Sequence, residues 1–524
     1  MKTIMNKTTR FASILLAAAL LFVSCSDDAL DSVNEDNDHP KSVEAKYILA
    51  EVITSTAFHN IGGDFNTYLS TYVEHEVGID NQLWRAETRS GEPSSSSTFN
   101  NTWESLYTEL RNARIVIDKC SEGGAQEGNL VTRGIAEVLA AYNSALITDL
   151  FGDAPWSEAA LIDANGLPRY MTPKIDTQQD IYQGIFDYLD AAIIDLQGTD
   201  AHSSGPVGSY DLLFGGNKAK WLKLAYGLKA RYTLHLLARA ADQNAELDKI
   251  LDYVSNSFTS ADEQAAFNIY DADNYNPLFD FQWSRDGLAA SESLADKLIE
   301  RNDPRLRRVF VDADWSQVAD PSEENYFVAP NGTPEQLRYY YNTSIFVYSQ
   351  LASTMFLSYH ELLFIKAEAL ARKGDPAAKD VLKEAVVAAI ANTEVNVAAA
   401  FDAPVINYYG GLEETTDAIT EDEAANYFDA EVEPLYTANP LQEVMIQKYL
   451  AFYGASGEST EAYNDVRRLK ALGEDFITLA NQGRFPLRCG YGNSDTTTNP
   501  AVKAAFGDGQ YVYTENVWWA GGTR

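Results

Sequence analysis

The chain has 524 residues, 45% hydrophobic and 22% charged, which supports a large core and rules out general disorder. Forty basic against 76 acidic side chains leave a formal net charge of -36. That excludes the basic stripe of a nucleic-acid binder, and adhesion to anionic lipid through protein charge. Tyr supplies 30 of the aromatic residues, an excess that fits packed helix pairs or a surface that meets polar ligands with flat rings.

The N-terminus reads as an address. Lys2, Lys7 and Arg10 precede an apolar run over 11–23 broken only by Ser13. The run is shorter than the roughly 20 residues a membrane span needs and fits a signal peptide. It ends Phe22-Val23-Ser24-Cys25, which resembles a bacterial lipobox, with Phe22 where Leu is usual. The resemblance implies that residues 1–24 are removed and that Cys25 is acylated, an anchor worth about 0.8 kcal/mol per buried CH2. The other reading is an ordinary signal peptide with a chance cysteine. Ser26-Asp27-Asp28 is similar to the acidic surface-export signal of Bacteroidetes lipoproteins. Residues 25–41 then form an acylated N-terminus and polar tether, and 42–524 a single domain. No later window has an uninterrupted apolar run of about 18 residues.

The mature chain is patterned for helices. Trp103, Leu106, Tyr107, Leu110, Ala113 and Ile117 recur at three- and four-residue steps, as do Ile135, Val138, Leu139, Tyr142, Leu146 and Leu150. A third stripe, from Trp221 to Leu236, carries His235, which reads as a satisfied core histidine. Residues 218–258, broken near 242–244, suggest a helix pair. Long irregular stretches are expected over 82–101, 164–177, 199–216, 270–288, 312–343 and 481–524. Residues 325–329 and 344–348 are the best short strands. At 361–373 a helix with Ala367, Ala369 and Ala371 ends in Gly374-Asp375-Pro376, where Gly closes one helix and Pro suits the start of the next. The small residues and the spacing resemble a tetratricopeptide repeat. The expected fold is mainly α, a degenerate helical array with a loop-rich side.

A glycan offers hydroxyls and an apolar face, so a binding loop should mix rings with polar groups. Residues 270–285 do this best, with Tyr275, Phe279, Phe281, Trp283 and Arg285 among Asp and Asn. Trp84, with Asn81, Gln82 and Arg85, is a second candidate. Core packing is the better reading of Phe279 and Phe281, and an even alternative for Trp84 and Trp283. Tyr339-Tyr340-Tyr341 is a lesser candidate, and Trp518-Trp519 reads as packing for the chain end. Asp271, Asp273 and Asn274 lack the Gly and Glu of a calcium loop, so no metal or other cofactor is expected. Cys120 and Cys489 read equally as a pair or as two isolated thiols.

Several motifs carry a family resemblance in order. They are LFGDAPWSEA at 150–159, DPRL at 303–306, the repeat helix at 361–371, the 443–448 run, EAYNDVRR at 461–468, RFP at 484–486 and TNP at 498–500. Tyr463 and Val466 stand where Trp is usual. Together these resemble the SusD/RagB family of outer-membrane nutrient-binding lipoproteins over nearly the whole chain from Cys25. The resemblance implies a cell-surface lipoprotein, anchored in the outer membrane, that binds an oligosaccharide or peptide. It also implies delivery to a SusC-type TonB-dependent transporter, which the repeat side contacts. The rival reading is a surface glycosidase using a carboxylate pair, and a third is an adaptor using only its repeats. Removing residues 1–24, with three basic and no acidic side chains, takes the charge to -39. That favours a neutral glycan or a peptide over a strongly anionic polymer, unless Arg305, Arg307 and Arg308 line the site.

Overall fold

The computed structural model describes residues 43–90, 98–163, 165–509 and 511–524. The signal peptide, Cys25, the tether and the serine run at 94–97 lie outside them. Ala45–Arg524 forms one compact unit and is mainly helical. The main helices are α1 (Ala45–Ser55), α2 (Asp64–Tyr72), α3 (Asn81–Glu87), α4 (Asn100–Cys120), α5 (Leu130–Phe151), α6 (Gln178–Asp195), α7 (Lys218–His235) and α8 (Gln243–Ser255). They continue with α9 (Pro277–Arg285), α10 (Glu292–Glu300), α11 (Tyr359–Lys373), α12 (Ala378–Phe401), α13 (Pro404–Tyr408), α14 (Glu421–Tyr427), α15 (Pro440–Ala451) and α16 (Ser459–Ala471).

The helical array runs through neighbouring pairs. α4 packs on α5, α5 on α6, α7 on α8, α8 on α11, and α11 on both α12 and α15. Ser358 caps α11 by accepting the N–H of Glu361, and Gly374 closes it in the left-handed region at φ 68°. The expected stripes are buried: Trp103, Leu106 and Leu110 on α4, Ile135, Leu139 and Leu150 on α5, Trp221, Leu224 and Leu228 on α7.

Strands are few and short, as expected, but two predicted ones move. Ser344 pairs with Phe310 as the end of Thr343–Ser344, whereas Ile345–Tyr348 turns into a 3-10 helix started by the Ser344 hydroxyl, which accepts the N–H of Phe346. In 325–329 only Ala329 makes a bridge, to Ser291. Several expected irregular stretches hold short helices, among them Asn81–Glu87, Pro277–Arg285, Asn493–Thr498 and Pro500–Phe506. Three of these begin behind an Asn or Asp, and two have Pro in the first turn, which supplies the helical φ without wasting a donor. Cys120 ends α4 and Cys489 lies in the C-terminal segment with its N–H on Leu150 O; both are buried and no disulfide joins them.

Several of the quoted motifs build the interior. Gly152 takes φ 79° after α5, and a Cβ there would lie 2.8 Å from Arg488 Nη2. Asp303 and Arg305 pair with each other under Tyr427. Asp465, Arg467 and Arg468 are buried, and the partly exposed Glu461 turns its carboxylate to His235. Arg468 donates to both oxygens of Glu368 at 2.6 and 2.8 Å and to Asp465 at 2.7 Å, while Lys448 meets Asp465 at 2.8 Å. Arg231 holds Glu361 in a two-pronged pair at 2.6 and 2.7 Å.

His235 is the satisfied core histidine that its position on the stripe suggests. It lies between Asp149 (3.1 Å) and Glu461 (3.0 Å), with Trp519 stacked beside it. Burial opposes its charge, but the two carboxylates outweigh burial and lift its pKa from 6.5 to about 9. A raised base stabilises fully below its unfolded value and loses that contribution as pH rises through the folded value. Thermal stability is therefore expected to fall between about pH 6.5 and 9, with up to about 3 kcal/mol from this group. Melting curves of wild type and His235→Asn across that window test it: the variant should be less stable near pH 6 and lose less on alkalinisation. Parallel curves would refute the assignment.

Candidate ligand-binding site

The loop-rich side is organised around α9. Asn276 precedes it, accepting the N–H of Leu278 at 2.9 Å. The same side-chain amide is buried and donates to Ala352 O (2.8 Å) and Ala455 O (3.0 Å), fixing where the helix starts. Pro277 then takes the first position, and Asp286 ends the helix at φ 46°. This corrects the reading of 270–285 as irregular loop: an N-cap and a first-turn Pro convert its second half into helix.

The helix sorts the nominated residues onto two faces. Phe279 and Trp283, four apart, stack with centroids 5.9 Å apart and planes at 8°. Tyr275 meets Phe279 edge-on at 5.4 Å. Phe279 is 0% exposed and packs with Ala403 and Ile406, so it supports Trp283 and offers a ligand no surface. Trp283 is 37% exposed. Tyr409 leans on it at 5.6 Å and 40°, and Tyr408 sets its ring edge against Tyr409 at 5.1 Å. These tyrosines, 83% and 63% exposed at 408 and 409, sit where α13 runs into Gly410 and Gly411 at positive φ. The result is an exposed aromatic platform built on a buried ring. Sequence reasoning missed Tyr408 and Tyr409; the signal was an adjacent Tyr pair before Gly-Gly.

Arg285 and Phe281 lie on the opposite face, with the guanidinium 5.8 Å from the Phe281 ring centre. They border a cleft of about 550 Å3 reaching α2 and the start of α4, and a smaller one of about 280 Å3 against α3. Gly62 permits this arrangement, because a Cβ there would stand 2.8 Å from Pro277 Cγ.

Trp84 sits apart from the platform, half-buried on α3, its indole N–H donating to Pro334 O at 3.0 Å. It helps tie down a strap over 330–341. Arg338 of the strap pairs with Asp80, the Tyr339 hydroxyl donates to Asp286, and the Gly332 N–H donates to Glu87 at 2.6 Å. Burial pushes Glu87 up to about 7, against Arg89 and that N–H. Tyr341 is buried while Tyr339 and Tyr340 are exposed. Trp519 is buried, with its indole on Asp149 at 2.8 Å, and Trp518 receives Arg239, as expected of rings that pack the chain end. The Asp271 carboxylate accepts the N–H groups of Asp273 and Asn274, both at 2.8 Å, and so closes its own turn. The Arg cluster is occupied by Asp303, Glu423, Glu394 and Glu414, so it does not line the platform.

Comparison with known proteins gives a consistent picture. The family model described as "SusD-like_2: Starch-binding associating with outer membrane" matches residues 40–492. A crystal structure of a SusD/RagB family protein from Bacteroides thetaiotaomicron is 55% identical, covering 92% of this chain and 100% of that one, with a TM-score of 0.87. A chitin-binding protein is similar at 21% identity, with 90% and 100% coverage and a TM-score of 0.66. An outer-membrane protein from Bacteroides vulgatus, described as probably involved in nutrient binding, is 19% identical, with 91% and 100% coverage and a TM-score of 0.68. The last two share the fold. No curated protein matches the chain.

Proposed function

The chain belongs to the SusD-like family, and from that premise we propose that it is a cell-surface lipoprotein that captures an oligosaccharide nutrient on the α9 platform. The family is one of binding proteins, not enzymes. The observation that carries the reading is the exposed Trp283, stacked on the buried Phe279 and flanked by the exposed Tyr409 and Tyr408. Flat rings held in place by packing meet the C–H face of a sugar at little entropic cost. The carbohydrate in the family description and the chitin named for a structural relative support a glycan over a peptide. We take the captured ligand to pass to a SusC-type TonB-dependent transporter contacted by the helical array.

Anchoring rests on Cys25 and the signal before it. Cys25→Ala is expected to move the protein from the outer-membrane fraction to the soluble fraction, read by fractionation and by loss of lipid labelling. A variant that stays with the membrane would refute the anchor.

A further inference from the structure

Three of the larger cavities differ in how their charges are used. In the helical-side cavity of about 400 Å3, Lys229 pairs with Asp190, Lys249 with Glu246, and Arg239 donates to Trp518 O. In the cavity of about 390 Å3 beside α10, Arg301 pairs with Glu443. The cleft of about 550 Å3 behind α9 is different. It gathers His59, Asp64, Glu104, Asp280 and Arg285; Glu104 accepts from Asn100 at 2.9 Å, and the other four side chains make no hydrogen bond or ion pair among the described residues. Asn101 on its wall is likewise unengaged, and the Ser105 hydroxyl there is buried without a partner.

Asp64 feels this directly. Burial raises its pKa, and the charges of Arg285 and His59 only partly compensate. His59 reaches the cleft from a π-helical turn, Thr56–Ile61, the widened geometry that recurs beside functional sites. A strongly anionic ligand would meet Asp64, Asp280 and Glu104, and a strongly cationic one would meet Arg285. A neutral hydroxyl suits both, because it donates to the carboxylates and accepts from Arg285 and Asn101.

We propose that this cleft is a second subsite, for the hydroxyl groups of a neutral sugar unit, on the far side of α9 from the Trp283 platform. The proposal rests on the platform reading above. Helix side chains span about 10–12 Å, so a chain that engages both must cross α9 and a short sugar cannot. Selection for length follows: each short oligomer meets one subsite, and longer ones gain the second.

The test is calorimetric titration of the soluble chain with neutral oligosaccharides based on maltose, chitin, xylose and mannose, from the disaccharide upward. Wild type, Trp283→Ala, and the double variant Asp280→Asn, Arg285→Met are compared; Asp280 and Arg285 are exposed, and melting curves check their folding. Affinity in wild type should rise with length, and the double variant should lose at least tenfold on the long oligomers and flatten the rise. If the double variant matches wild type at every length while Trp283→Ala weakens binding, the subsite is wrong and the platform stands. If wild type binds no neutral oligosaccharide, both fall.

Discussion

Glu368→Ala is expected to destabilise the protein by about 3–5 kcal/mol, the usual cost of removing one member of a buried ion pair. Glu368 is wholly buried and holds two guanidinium groups, Arg468 at 2.6 and 2.8 Å and Arg372 at 2.8 Å. Those positive charges depress its pKa despite burial. Its loss leaves Arg468 with Asp465 alone, and Arg372 with the partly exposed Glu474. Native stabilities are only about 5–15 kcal/mol, so the change is large. Urea denaturation of the soluble chain checks it, with Glu246→Ala as comparison. That residue pairs with an exposed Lys249 and should cost under about 1 kcal/mol. Equal effects would show that the network does not hold the array together.

Trp283→Ala should weaken oligosaccharide binding at least tenfold, about 1.4 kcal/mol or more, with little change in stability. The ring is already held by Phe279 beneath and Tyr409 beside it, so binding spends little on ordering it. Tyr409→Ala, which removes the second ring of the platform, should act in the same direction. Trp84→Ala should have the smaller effect, since its indole is engaged with Pro334 O at the base of the strap.

Much of the fold was legible in residue spacing. The stripes of α4, α5 and α7 and the Gly374 stop are local facts, and helices declare themselves through local periodicity. The ordered motifs were legible too, but for a structural reason. Asp303, Arg305, Asp465 and Arg468 are recognisable because buried charges require named partners, so they mark the scaffold and say nothing of the ligand. The start of α9 was missed although Asn276-Pro277 is a helix-start signal, because the surrounding aromatics and acids read as loop. The site was legible only in part. Trp283 and Arg285 were nominated as neighbours, yet two residues apart on a helix they face different ways. Phe279 was nominated beside them and proves to be the floor under Trp283. Tyr408 and Tyr409 reach Trp283 across more than a hundred residues of chain, and His59, Asp64 and Asn101 reach Arg285 across still more. No local pattern encodes such meetings.

The central claim is that the exposed rings of Trp283 on α9 and Tyr409 beside it bind a neutral glycan. Its most direct test is one calorimetric titration of that oligosaccharide panel into wild type and into the Trp283→Ala, Tyr409→Ala double variant. The account predicts saturable, salt-insensitive binding without turnover by wild type, lost in the variant. Equal affinity for both proteins, or tighter binding of a sulfated or uronic-acid polymer that salt abolishes, would contradict it.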